Sequence, residues 1–126
     1  MSLVITKPEL STDQQELLSE LESMSFCKTK DEYLWLLDEL KDLGIETIND
    51  WDDKYSGTYE GREELAGAEF AQQMAEDCGD IPSDLPSWID IDWKGSWYNL
   101  RFDYSTIERV NKVHGYVIET FFFRNY

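Results

Sequence analysis

Carboxylates are the only chemically active side chains that this chain carries in quantity, and little that normally works with them accompanies them. The sequence has 27 Asp and Glu, two Cys and one His. His114 stands beside Gly115 with no recognisable partner and reads as a surface turn residue. Cys27 and Cys78 lie far apart with no CxxC spacing, which suits two reduced, buried thiols better than a disulfide framework. Such a set lacks the ligands of a structural zinc site, and no nucleophile elbow, Cys-His signature, GxGxxG or GxxxxGK[ST] loop occurs. The run Asp90-Ile-Asp92-Trp-Lys94-Gly95 opens like a calcium loop, with acids at the first and third positions and glycine at the sixth. It then places Lys94 at the fifth position and Arg101 at the twelfth, so that a metal cation would meet two cations. Paired carboxylates for glycosidic acid-base chemistry are uninformative, because so many acids guarantee a close pair by chance. The chain is therefore expected not to be an enzyme and to need no cofactor or metal.

The carboxylates do have a pattern. With 11 Lys and Arg the net charge is −16, yet 41% hydrophobic and 14% aromatic residues describe a chain that folds. Its field repels nucleic acid and anionic membranes, which excludes direct binding to either. From Asp31 to Asp92, nineteen acids face only Lys41, Lys54 and Arg62, so the whole net charge lies there. Residues 1–30 and 93–126 hold eight charges of each sign, Lys7, Glu9 and Lys112 among them. A merely solvated or salt-adapted surface spreads acid along a chain, so this segregation points to a functional acidic surface. No apolar run exceeds the five residues Tyr33–Leu37, far short of a membrane span, Phe121-Phe122-Phe123 is shorter still, and the N-terminus lacks signal-peptide character, which predicts a cytoplasmic protein.

The elements that would position the acids follow from caps and periodicity. Ser11 or Thr12, with Gln14 or Gln15 at capping-box spacing and a stripe of Leu17, Leu18, Leu21 and Met24, predicts a helix over 12–25. Thr29 and Glu32 box a second helix over 30–43, with Gly44 as its stop. Thr47 to Asp50 opens a short helical turn carrying Trp51 and Tyr55 and ending near Gly57. Leu65, Ala66, Phe70 and Met74 predict a helix over 62–78 stopped by Gly79. Pro82 and Pro86 break the chain, Trp88, Trp93, Trp97 and Leu100 suggest short helices over 87–102, and the crowd of aromatics there reads as core. Tyr104–Val110 and Tyr116–Phe123, joined by turn residues 111–115, predict a terminal hairpin. At 126 residues this makes one mostly helical α+β domain, with a C-terminal antiparallel β-hairpin, an acidic surface and a soft boundary near Gly44.

Several stretches carry a family likeness: Trp51-Asp-Asp-Lys-Tyr55-Ser-Gly57-Thr-Tyr59; Glu69-Phe70-Ala71 leading to Met74-Ala75-Glu76-Asp77-Cys-Gly79; Ile81-Pro82 through Leu85 to Trp88-Ile89-Asp90 and Asp92-Trp93; Leu100 with Asp103-Tyr104; and Phe123-Arg124-Asn125-Tyr126. In these, residues 51–126 resemble the ArdA antirestriction family, small DNA-mimicking proteins of plasmids, transposons and phages. The family run Ile-Asp-Trp-Glu is expanded here to Ile89-Asp90-Ile91-Asp92-Trp93-Lys94. Residues 1–44, a helical hairpin, show no such likeness, so the ArdA-like region is taken as 45–126.

The resemblance implies a non-catalytic inhibitor that fills the DNA groove of a type I restriction-modification complex, as a homodimer whose carboxylates stand where phosphates would. Duplex DNA carries one charge per about 1.7 Å of axis, so a net −16 matches about eight base pairs and a dimer about sixteen. The acids assigned to the partner are Asp50, Asp52, Asp53, Glu60, Glu63, Glu64, Glu69, Glu76, Asp77, Asp80, Asp84, Asp90 and Asp92, of which Asp50, Asp84 and Asp90 can equally be helix caps. Three other readings stand beside this one. They are an acidic inhibitor of another DNA-handling host protein, a carboxylate or divalent-metal hydrolase, and an interaction domain whose acidity serves solubility.

Overall fold

The computed structural model describes residues 10–111 and 113–125. Lys7, Glu9, Lys112 and Tyr126, which entered the charge balance or the family likeness, lie outside the described residues. Among the described residues, five α-helices and one three-stranded antiparallel sheet give an α+β fold, in two compact units that meet in the chain between Lys54 and Tyr55.

The first unit holds α1 (Thr12–Ser23), α2 (Lys30–Asp42) and α3 (Ile48–Lys54). Ser11 caps α1 reciprocally: its Oγ accepts from the Gln14 N–H at 3.1 Å, and its own N–H donates to Gln14 Oε1 at 3.2 Å. Thr29 Oγ1 accepts from the Glu32 N–H at 3.2 Å to start α2. Gly44, at φ +80°, lets the Ile45 N–H turn back to the Leu40 carbonyl at 2.9 Å, and Ile45 is buried like Leu40. Leu17, Leu18 and Leu21 of α1 and Tyr33, Leu36, Leu37 and Leu40 of α2 are buried, and Trp51 of α3 packs its ring 5.5 Å from that of Phe26. The division at Lys54 falls beyond Gly44 because α3 packs back onto α1.

The second unit holds β1 (Tyr55–Glu60), α4 (Glu63–Cys78), α5 (Trp93–Leu100), a 3-10 turn (Arg101–Asp103), β2 (Tyr104–Val110) and β3 (Val117–Arg124). The strand order is β1-β3-β2, with β3 antiparallel to both neighbours. Being central, β3 can be covered on both faces, which is why three consecutive phenylalanines suit it. Phe122 faces α4 and α5, where it stacks on Phe70 at 4.6 Å and meets the Trp97 ring edge-on at 5.0 Å. Phe121 and Phe123 point to the other face by alternation and are equally buried. Helix α4 lies against α5 at Gly67, where an added Cβ would fall inside the Trp97 indole.

Four expectations need correction. Tyr55 opens β1 and does not close a helical turn, because Tyr55, Thr58 and Tyr59 pair with the aromatic strand β3. Residues 87–92 are not helical; α5 starts only after Asp92 supplies a cap. The aromatic crowd is not all core: Trp97 is buried, whereas Trp88, Tyr98 and Phe102 are exposed. Cys78 is exposed at the end of α4, and only Cys27 is a buried thiol. No described helix is long and apolar enough to cross a membrane.

Candidate functional site

The buried stripe of α4, made by Ala66, Gly67, Phe70 and Ala71, fixes which of its carboxylates reach water. Glu64, Glu69, Glu76 and Asp77 lie off that stripe and are exposed. Arg62 sits 3.7 Å from Glu64, while Gln72 and Gln73 each donate one turn onward, to Glu76 at 3.2 Å and to Asp77 at 2.9 Å. Gly79 ends the helix in the left-handed conformation, and the chain continues through Asp80, Asp84, Asp90 and Asp92, all exposed. From Glu63 to Asp92 there are nine acids and no Lys or Arg.

Glu63 is the exception on this helix. Half-buried, it accepts from Thr106 Oγ1 at 2.8 Å and from Trp97 Nε1 at 3.4 Å, while its own N–H donates to the Glu108 carboxylate at 3.0 Å. It ties α4 to α5 and β2, and does not stand outward with the other acids of this helix assigned to the partner.

Three further predicted site residues have structural work. Asp50 is half-buried, and its Oδ2 accepts from the Glu46 and Thr47 N–H groups at 3.2 and 3.3 Å, while the Asp50 N–H donates to Thr47 Oγ1 at 3.0 Å. The Glu46 N–H holds this carboxyl below the usual carboxylate range, with burial opposing and Thr47 and Lys54 assisting. Asp92 Oδ1 caps α5 by accepting from the Gly95 N–H at 3.0 Å, so the stretch that resembled a calcium loop is a helix start. Glu60, exposed at the end of β1, pairs in register with Glu119, which is neutralised by Arg109 at 2.9 Å. Asp52 and Asp53 are exposed on α3, the latter 3.9 Å from Lys54.

The predicted site residues thus fall in both units. Asp50, Asp52 and Asp53 belong to the first, and the other ten to the second. In the second unit the exposed series runs from Glu64 along α4 into the loop that precedes α5. Among the described residues, no group of three or more His, Cys, Asp or Glu is placed to hold a metal ion. Two hollows of the second unit, about 210 and 280 Å³, are smaller than the usual ligand cleft. Tyr59 and Tyr104 line the first, and burial pushes the Tyr59 phenol up, with Asp77 and Glu69 adding to the effect.

Sequence reasoning missed the exposed aromatics. Arg101 lays its guanidinium 3.7 Å from the Tyr98 ring centre and 4.9 Å from that of Phe102, and Trp88 projects from the acidic loop. For Trp88 a signal was present: it follows Pro86-Ser87 and is flanked by Asp84, Asp90 and Asp92, a poor setting for core. Neither a protein-family model, a curated protein nor a solved structure matches this chain.

Proposed function

We propose that this protein is a non-catalytic DNA mimic of the antirestriction type, whose exposed carboxylates occupy the DNA groove of a type I restriction-modification complex. The observation that carries the reading is the Glu63–Asp92 stretch with nine acids and no cation, eight of the nine exposed. Its placement works against the fold. Glu76 and Asp77 sit in the last turn of α4, with no basic residue there, and Asp80 follows just beyond. Negative charge at that end of a helix opposes the macrodipole by about 0.3–1 kcal/mol per group. Carboxylates kept where they cost stability serve something outside the fold.

Magnitude limits what one helix can do. Sixteen residues of α4 span about 24 Å, over which duplex DNA carries about fourteen charges. Four outward carboxylates on α4 fall well short, so the loop acids are needed as well, and a homodimer is the natural way to extend the series. Such a protein works in the cytoplasm, where restriction enzymes meet DNA. Binding comes from displacement of counterions or DNA from a Lys/Arg-lined groove, with fast electrostatic steering and no bond made or broken.

The test is competition. Purified protein should not shift duplex DNA in a gel, yet should release labelled duplex from a type I restriction-modification enzyme and block cleavage. A direct shift of DNA, or an enzyme indifferent to stoichiometric excess, would overturn the reading. Release of DNA from a nuclease, a histone-like protein or RNA polymerase, with no effect on the restriction enzyme, would move the target to another DNA-handling protein.

A further inference from the structure

Within the acidic loop one large aromatic side chain is left unsheltered. Trp88 is 81% exposed. It is not on a loose tether: the Ile89 N–H donates to the Pro86 carbonyl at 3.0 Å, closing a turn with Ser87 and Trp88 at its tip, and Ile81, Leu85 and Ile91 are partly covered on either side. An ordered turn that holds an indole in water forgoes one of the largest apolar gains a side chain offers. The nearest cations in sequence are Arg62 and Lys94, and the exposed Asp84, Asp90 and Asp92 flank Trp88 in the same loop, so a partner surface that covers this loop is expected to be cationic.

An indole is a planar fused bicycle, close in outline to a purine. Enzymes that modify bases take the target out of the stack, paying a few kcal/mol, and hold it between aromatic or apolar walls. Tyr98 and Phe102 do not present themselves for this, because Arg101 packs on their rings. We propose that Trp88 mimics an extruded base: with the flanking carboxylates seated on phosphate-binding residues, the indole enters the base pocket of a DNA-modifying enzyme. It stands outside any stack already, so the unstacking cost that DNA meets does not arise. The inference rests on the DNA-mimic reading and names the chemistry of its partner more narrowly, as a cationic groove with a pocket for a flipped base.

The experiment uses the full chain labelled with 5-fluorotryptophan and the modification methyltransferase of a type I restriction-modification enzyme, with labelled duplex as competitor. Trp88→Phe assigns the Trp88 fluorine signal. At saturation that signal should lose its solvent isotope shift, and Trp88→Ala should compete about 30-fold more weakly, the scale of an interface hot spot. The salt dependence of Trp88→Ala should match wild type, whereas Asp84→Asn with Asp90→Asn should flatten it. An enzyme variant lacking the side chain that stacks on the flipped base should bind wild type and Trp88→Ala equally. If wild type competes but the Trp88 signal stays solvent-exposed, or Trp88→Ala competes fully, the base mimic is wrong and the DNA mimic stands. Independent, additive losses from Trp88→Ala and the pocket variant would place the indole elsewhere and also overturn the proposal. Failure of wild type to compete at all removes both.

Discussion

Glu63 and Glu64 are adjacent in sequence and divided in role. Glu63 receives hydrogen bonds from Thr106 and Trp97, whereas Glu64 is exposed and meets Arg62 at the surface. Glu63→Ala should therefore lower unfolding free energy by about 1–3 kcal/mol, because it strands a hydroxyl and an indole N–H. Glu64→Ala should stay within about 0.5 kcal/mol. Urea titration of both variants measures the contrast, and equal losses would mean that the bridge to α5 and β2 does nothing. Asp50 offers a test in pH. Its folded-state value lies below the unfolded one, so its charged cap contributes fully above the unfolded value of about 3.9 and is lost as pH falls through the folded value. The melting-temperature gap between wild type and Asp50→Asn should be constant at neutral pH and narrow as pH drops below about 4. A gap that widens on acidification would reverse the sign assigned here.

At the scale of the element, α4 carries opposing demands. Replacing Glu76 by Gln and Asp77 by Asn keeps acceptors for Gln72 and Gln73 while removing charge from the wrong end of the helix dipole. That double variant should melt higher than wild type, by the equivalent of about 0.5–2 kcal/mol, and inhibit more weakly. A variant that loses stability together with inhibition would show these acids to be structural. Gly67→Ala separates packing from propensity. Alanine improves an isolated helix by about 1 kcal/mol, yet here its methyl would collide with Trp97, so a net loss of about 1–3 kcal/mol is expected in urea. These elements were legible to different degrees. Caps and glycine stops are local chemistry, so Ser11, Thr29, Gly44 and Gly79 marked three helices to within a residue or two. Strand β1 was hidden because its partner lies far along the chain, and nothing local distinguishes Tyr55–Tyr59 from a loop. For the same reason the sequence does not separate Glu63 from the outward acids: nothing local reveals Thr106 or Trp97 approaching its face of the helix.

For the whole molecule the dominant quantity is a net charge of −16, concentrated in residues 31–92. Like charges at this density repel within the fold, and salt screens them over a Debye length of about 8 Å at physiological strength, so added salt should raise the melting temperature. Attraction to a cationic groove is screened by the same ions, so inhibition should weaken steeply over about 50–500 mM monovalent salt. Opposite slopes for melting and inhibition are the expected result; parallel slopes would contradict clustered repulsion. The sheet also imposes an order on its own assembly. Strands β1 and β2 both precede β3, and both pair only with β3. Strand β2 meets β3 across a short turn, whereas β1 waits for a partner that lies far along the chain. Until Val117–Arg124 is in place, neither β1 nor β2 has a neighbour in the sheet, and both keep open edges that another strand can pair with.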